Sequence, residues 1–266
     1  MDEEALKIGI IGAGHIGLTL AETFMHNFLP KQNLFISHGG SPTTTAKLHS
    51  AELTANVADN KVLCTKTDIC FIAMRPQAFA GFKKIPVSAT TQFVSCMAGV
   101  PLTLLKNIFG EHTCRIMTSG PETIKHNKAI VAIYPFNAQL TTLMANAGFK
   151  CFTLNNEHDM HYFTTAVCLP AALVLAQNLK LDITKDVIAF GSKHALFAEL
   201  YTWAADVVPQ FALPQQADEY VSKMATPGGI TEAMVNSLLE NRNFLKAVEA
   251  GINRGKQLSA MLNHNK

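Results

Sequence analysis

Lys7-Ile8-Gly9-Ile10-Ile11-Gly12-Ala13-Gly14-His15-Ile16-Gly17 is the stretch that decides how this chain is read. Ile8-Gly9-Ile10-Ile11 is an apolar run of strand length, and residues 15–28 carry apolar side chains at helical spacing until Pro30. Between them Gly12, Gly14 and Gly17 form G-x-G-x-x-G. Between a strand and a helix this spacing has a mechanical meaning. The first glycine permits a tight turn, the second lets the backbone approach a pyrophosphate, and the third permits close helix–strand packing. The helix start adds free N–H groups and a partial positive charge. Gly12, Ala13, Gly14, His15, Ile16 and Gly17 therefore predict a dinucleotide site. The alternative is a strand–helix turn that binds nothing.

Working outward, residues 33–37, 68–73, 92–96, 114–117 and 129–133 read as further short apolar strands. Helical spacing covers residues 43–48 and 101–109, and a last helix–strand pair spans residues 138–154. Buried strands alternating with helices predict a parallel sheet covered on both faces, wound both ways by right-handed crossovers. Past residue 157 no strand pattern remains. Helices are expected over residues 158–179, 184–207, 215–225, 229–240 and 243–262, punctuated by Pro209, Pro214 and Pro227. The fold class is α/β then all-α. A Rossmann-type doubly wound domain, residues 1–155, precedes a helical domain, residues 156–266.

The 266 residues are 48% hydrophobic and 16% charged, with a net charge of +2, so bulk electrostatics predict no nucleic-acid or membrane partner. The longest apolar stretch, residues 166–176, is broken by Pro170 and is far short of the ~20 residues that span a bilayer. Met1-Asp2-Glu3-Glu4-Ala5 is acidic and gives no secretory signal, so a soluble, cytoplasmic protein is expected. Cys64, Cys70, Cys96, Cys114, Cys151 and Cys168 lack CxxC spacing and read as reduced core thiols. His158 and His161 share a helix face without a third ligand, so a solvated face is expected rather than a metal site. His194, near Glu199, reads as helix surface.

The end of the second strand bears on cofactor choice. An NAD site usually places Asp or Glu there for the ribose hydroxyl. This chain has Ser37-His38-Gly39-Gly40-Ser41 and no nearby carboxylate. Small hydroxyls, the N–H groups of a new helix, and charge from His38 or Lys47 suit a 2′-phosphate, so NADP(H) is preferred over NAD(H). An unselective turn is the alternative.

Several spaced blocks together resemble pyrroline-5-carboxylate reductase, the last enzyme of proline synthesis. After the glycine turn comes Asp68-Ile69-Cys70-Phe71-Ile72-Ala73-Met74-Arg75-Pro76-Gln77, similar to the family's strand and Lys-Pro-Gln turn, with Arg75 at the lysine. Ser95-Cys96-Met97-Ala98-Gly99-Val100 is similar to its Ala-Gly-Val turn. Ala225-Thr226-Pro227-Gly228-Gly229-Ile230-Thr231 resembles its Ser-Pro-Gly-Gly-x-Thr motif. Beside Ser37, His38 and Gly39 at the end of the second strand, the resemblance implies cofactor contacts at Asn60, Ala73, Met74, Arg75, Pro76, Ala98 and Gly99. It implies a substrate pocket using Ser119, Thr226, Gly228, Gly229 and Thr231, with backbone N–H groups on the carboxylate of a cyclic imine. Thr231 is the expected catalytic residue, placed near the imine nitrogen. The resemblance also implies a homodimer or larger assembly whose C-terminal helices interleave.

Two departures bear on substrate. Met117-Thr118-Ser119-Gly120-Pro121 stands where the family has Met-Pro-Asn-Thr-Pro. Thr165-Ala166-Val167-Cys168-Leu169-Pro170-Ala171 replaces a Gly/Ser-rich turn with apolar residues. Three readings stay open: NADPH-dependent reduction of pyrroline-5-carboxylate to proline, reduction of a different imino or keto acid, and dinucleotide binding without catalysis.

Overall fold

The computed structural model describes residues 5–76, 78–79 and 85–264. Gln77 of the second block and the acidic residues Asp2, Glu3 and Glu4 lie outside them. The chain divides into two compact units, Met1–Glu157 and His158–Lys266.

The first unit holds strands β1 (Ile8–Ile11), β2 (Leu34–Ser37), β3 (Ile69–Ile72), β4 (Gln92–Ser95), β5 (Thr113–Thr118), β6 (Ile130–Tyr134) and β7 (Lys150–Thr153). They make one seven-stranded sheet in the order β2-β1-β3-β4-β5-β6-β7. Helices α1 (His15–Asn27), α2 (Pro42–Ser50), α3 (Asn60–Lys66), α4 (Leu102–Phe109), α5 (Pro121–Lys125) and α6 (Ala138–Asn146) link the strands. Every residue of β1 and β3 is buried, as the apolar runs predict for strands covered on both faces. Leu20, Ala21 and Phe24 of α1 join Ile8, Ile10, Leu34, Ile36 and Phe71 in one core. Phe24 lies against Phe71 with ring centroids 5.1 Å apart. Each large apolar side chain buried in this way contributes about 1.5–3 kcal/mol.

The sheet departs from the expected parallel arrangement at one edge. β1 to β5 run parallel, but β6 pairs antiparallel with β5, and β7 follows β6. The link between β5 and β6, residues 119–129, contains only the short α5. A parallel pair needs a crossover of roughly a dozen residues or more, whereas a shorter link lays the chain back alongside its predecessor.

Register places the loops that matter. Ile11 pairs with Ser37 on one side and Ile72 on the other, and Ile72 pairs with Ser95. These residues form one row, so the loops after β2, β1, β3 and β4 leave the sheet side by side. The strand order reverses at β1, with β2 and β3 on opposite flanks. Open α/β sheets bind ligands beyond the carboxyl ends of their strands at such a point.

The second unit is helical: α7 (Asp159–Val167), α8 (Leu169–Asn178), α9 (Thr184–Gly191), α10 (Ala195–Asp206), α11 (Pro214–Met224), α12 (Ile230–Asn241) and α13 (Phe244–His264). Two helices expected to be continuous are each broken. The first bends by 49° at Cys168, just before Pro170 in the first turn of α8. The proline ring removes a backbone donor and clashes with the preceding turn. The second breaks after Gly191, where helix propensity is weak. Among the described residues, no single helix is long and apolar enough to cross a membrane.

All six cysteines are unpaired, and Cys64, Cys70 and Cys114 are buried. His158 is exposed and meets His161 edge-on at 5.5 Å. His194, expected on the helix surface, is half-buried just before α10. Its ring packs 4.8 Å from Tyr162 and 4.6 Å from Phe190.

α13 comes close to its neighbours at Gly251, where a Cβ would lie 2.7 Å from Met234 Cγ and 2.8 Å from Thr165 Cγ2. Gly251→Ala is therefore expected to overpack the helical core and cost about 1–3 kcal/mol. A Cβ on Gly39 meets nothing within 4 Å, so Gly39→Ala is expected to change stability by less than about 0.5 kcal/mol. Denaturation midpoints of the two variants check both values.

Candidate functional site

The glycine turn is built as its spacing requires. Gly12 has φ +103°, and a Cβ there would sit 2.8 Å from the Ala73 carbonyl oxygen and 2.9 Å from the Met74 nitrogen. A Cβ on Gly17 would lie 1.9 Å from the Gly12 carbonyl oxygen. Only glycine fits either place. Gly14 differs, because a Cβ there would meet nothing within 4 Å. It faces open space, as a glycine kept bare for an approaching ligand should.

The turn is tied to its neighbours through the backbone. Gly12 and Ala13 both donate to the Ser37 carbonyl, at 3.0 and 2.9 Å, and Ala73 donates to the Ile11 carbonyl at 2.8 Å. Ala13 is buried, so its side chain and its N–H shape the turn. α1 begins at His15 with Gly14 as N-cap and no side-chain cap. The first helical N–H groups normally need a partner. Here no side chain caps them, and the space beside Gly14 is open, an arrangement that suits an anionic group.

Ser37 and Asn60 come together, with Ser37 Oγ donating to Asn60 Oδ1 at 2.6 Å. Ser37 is buried, so its hydroxyl secures α3 to β2. His38 Nδ1 accepts from the Gly40 N–H at 3.1 Å, which folds its ring onto the loop. Ser41, absent from the expected contacts, caps α2 by accepting from the Thr44 N–H at 3.2 Å. Serine before proline at the head of an amphipathic stretch is a readable cap signal. Lys47 lies in the last turn of α2, away from this cap. Met74 and Pro76 are half-buried, Arg75 and Ala98 are exposed, and Gly99 turns the chain after β4.

Ser119 requires a correction. It is fully buried, and its Oγ accepts from Thr123 Oγ1 at 2.7 Å and the Ile130 N–H at 3.0 Å. It locks the turn from β5 to β6 rather than presenting a hydroxyl to a substrate. Arg115 and Glu157 were not foreseen either. Arg115 in β5 is 4% exposed and pairs with Glu157, whose carboxylate also accepts from the Leu102 N–H at 2.6 Å. Burial lowers the Arg115 pKa and the Glu157 charge opposes that shift. Their separation in sequence hides the pair.

In the helical unit, residues 226–231 make a second glycine turn. Gly228 has φ +72°, and Gly229 donates to the Thr226 carbonyl at 2.9 Å. A Cβ on Gly229 would lie 2.7 Å from Thr226 Oγ1. α12 starts from Gly229 without a side-chain cap. Thr231, in its first turn, is 9% exposed and hydrogen-bonds Cys168 at the α7–α8 break. Burial raises the Cys168 pKa, so the thiol beside Thr231 stays protonated near neutrality.

Residues 7–99 match the family described as NADP oxidoreductase, coenzyme F420-dependent. A search of curated proteins gives no match. Among solved structures, pyrroline carboxylate reductase from Plasmodium falciparum, with NADP bound, is 21% identical with TM-score 0.60, covering 96% of this chain and 99% of that one. The Coxiella burnetii pyrroline-5-carboxylate reductase is 17% identical with TM-score 0.61, covering 96% and 99%. The Streptococcus pyogenes enzyme is 18% identical with TM-score 0.58, covering 95% and 99%. This chain has the fold of the pyrroline-5-carboxylate reductases. At these identities the likeness is one of fold.

Ser119→Ala would leave the buried Ile130 N–H without its acceptor. The expected loss is about 1–3 kcal/mol of stability, read by denaturant unfolding, with no direct effect on ligand affinity.

Proposed function

We propose that this chain is an NADPH-dependent reductase of a small cyclic imino acid, with pyrroline-5-carboxylate, reduced to proline, as its substrate. The observation that carries the reading is the joint presence of two built glycine turns. One lies open at Gly14 at the sheet's switch point, and the other leads into α12 with Thr231 in its first turn.

The dinucleotide fits the residues present. Gly14 leaves the space a Cβ would fill, and the start of α1 offers N–H groups to phosphate. The loop after β2 carries His38, Gly39 and the capped Ser41 with no carboxylate, which favours a 2′-phosphate and hence NADP(H) over NAD(H). The loops holding Ala73, Met74, Arg75, Pro76, Ala98 and Gly99 leave the same row of strand ends. When bound, the cofactor supplies a hydride.

The side chains then have modest tasks. A protonated imine is already electrophilic, so no strong base is needed. Free N–H groups at the start of α12 take the substrate carboxylate, with Thr226, Gly228 and Gly229 shaping the turn. Thr231 orients the imine nitrogen, and its near-complete burial holds water off.

Self-association as a homodimer or larger assembly belongs to the same reading. A cytoplasmic, soluble setting belongs to the same reading. The sealed Ser119 and the half-buried Cys168 favour a second reading, in which the redox chemistry stays and the substrate is a different imino or keto acid.

Purified protein with NADPH and pyrroline-5-carboxylate is expected to oxidise the cofactor and form proline, and absence of turnover at saturating substrate rejects that substrate. A panel of imino and keto acids separates the second reading. Thr231→Ala is expected to lower kcat/KM by about 100-fold or more, in the range of a positioned acid–base group, whereas Thr231→Ser keeps most of it. An unchanged rate in Thr231→Ala would remove Thr231 from the chemistry.

A further inference from the structure

Gly228 is the hinge of the second glycine turn, and side chains hold both of its backbone polar groups. Its N–H donates to Glu232 Oε2 at 2.7 Å, and its carbonyl accepts from Arg254 Nε at 2.8 Å. Glu232 comes from the first turn of α12 and Arg254 from α13, so one residue in a left-handed conformation is tied to two helices. Arg254 Nη2 lies 3.3 Å from where a Gly228 Cβ would be, and Nη1 reaches Gln257 at 3.4 Å. Gly251 and Gly255 flank Arg254 on α13. Gly251 meets Met234 and Thr165, and Gly255 meets His161 and Ile230, so the helix approaches closely enough for the arginine to reach the turn.

Helix capping explains only half of this arrangement. Glu232 at the start of α12 satisfies an orphan donor and suits the helix dipole. A cation at the same end opposes that dipole. Among the described residues Arg254 forms no ion pair, and its side chain donates to a carbonyl and an amide. It therefore adds positive charge beside the turn from which α12 starts without a side-chain cap.

We propose that Arg254 and Glu232 are positioning residues that clamp Gly228 and fix residues 226–231 in the form that accepts a ligand carboxylate, with Arg254 supplying the favourable field. The inference rests on the reading that this turn holds the substrate carboxylate. Charge-assisted bonds to the N–H and to the carbonyl of one residue are strong enough to hold a glycine turn in a single form. Misplacing a binding turn by about 1 Å can cost as much as ~100-fold in rate.

The test uses the full chain and the variants Arg254→Ala, Arg254→Lys, Glu232→Ala and Glu232→Gln. Asn178→Ala, which removes the Asn178–Asp218 hydrogen bond elsewhere in the helical unit, is the control. Amide exchange at residues 226–232, affinity for tetrahydro-2-furoate by calorimetry, and KM and kcat for pyrroline-5-carboxylate are measured. Both alanine variants are expected to speed exchange, weaken tetrahydro-2-furoate and raise KM by about tenfold each, with the loss concentrated in KM. The Lys and Gln variants, which still offer a donor and an acceptor, recover most of it, and the control changes none. Unchanged tetrahydro-2-furoate affinity in the alanine variants, or no rescue by Lys and Gln, overturns the clamp. A wild-type protein that binds tetrahydro-2-furoate but does not reduce pyrroline-5-carboxylate refutes the function and leaves the clamp to be judged by binding. A wild-type protein that binds no such carboxylate overturns both.

Discussion

A methyl group on residue 17 would lie 1.9 Å from the carbonyl oxygen of Gly12. That contact fixes the head of α1 against the end of β1, and much of the first unit follows from it. Gly12 in turn accepts the backbone of Ala73 and Met74 at the end of β3, and donates to the Ser37 carbonyl at the end of β2. Three strand ends and one helix start are thus joined through main-chain contacts that no side chain can enter. The row from Ser37 through Ile11 and Ile72 to Ser95 sets these ends level. Gly14, left bare at the middle of this junction, is where a ligand has room.

The helical unit repeats the logic with different parts. Gly251 draws α13 against Met234 and Thr165, and residues 226–231 turn tightly into α12. The break between α7 and α8 places Cys168 beside Thr231. Burial keeps that thiol neutral, so it acts as a weak hydrogen-bonding partner and not as a nucleophile. Thr231 is thereby held in an almost dry place at the start of a helix, which suits a group that must orient a small polar ligand.

The legible parts of this chain were those with a local period. Ile8 to Gly17 announces strand, turn and helix in ten consecutive residues, and the structure builds them as read. The direction of β6 was hidden, because a fully buried apolar strand looks the same whichever way it runs. The brevity of residues 119–129 is the clue that decides it. Ser119 was assigned to the pocket from its place in the resemblance, whereas its two hydrogen bonds, from Thr123 and from Ile130 in the next strand, are tertiary and not legible locally. Arg115 with Glu157, and Arg254 with Gly228, join residues far apart in sequence, and periodicity carries no information about such pairs. The packing of His194 on Tyr162 is likewise a tertiary contact that its sequence neighbours do not announce.

The central claim is that the open turn at Gly14 and the loop after β2 together hold NADPH. Backbone amide spectra of isotope-labelled protein titrated with NADPH and with NADH test it most directly. Both cofactors are expected to shift the amides of His15, Ile16 and Gly17, and only NADPH also those of Gly39, Gly40, Ser41, Thr43 and Thr44. Shifts confined to other surfaces, or none at all, would contradict it.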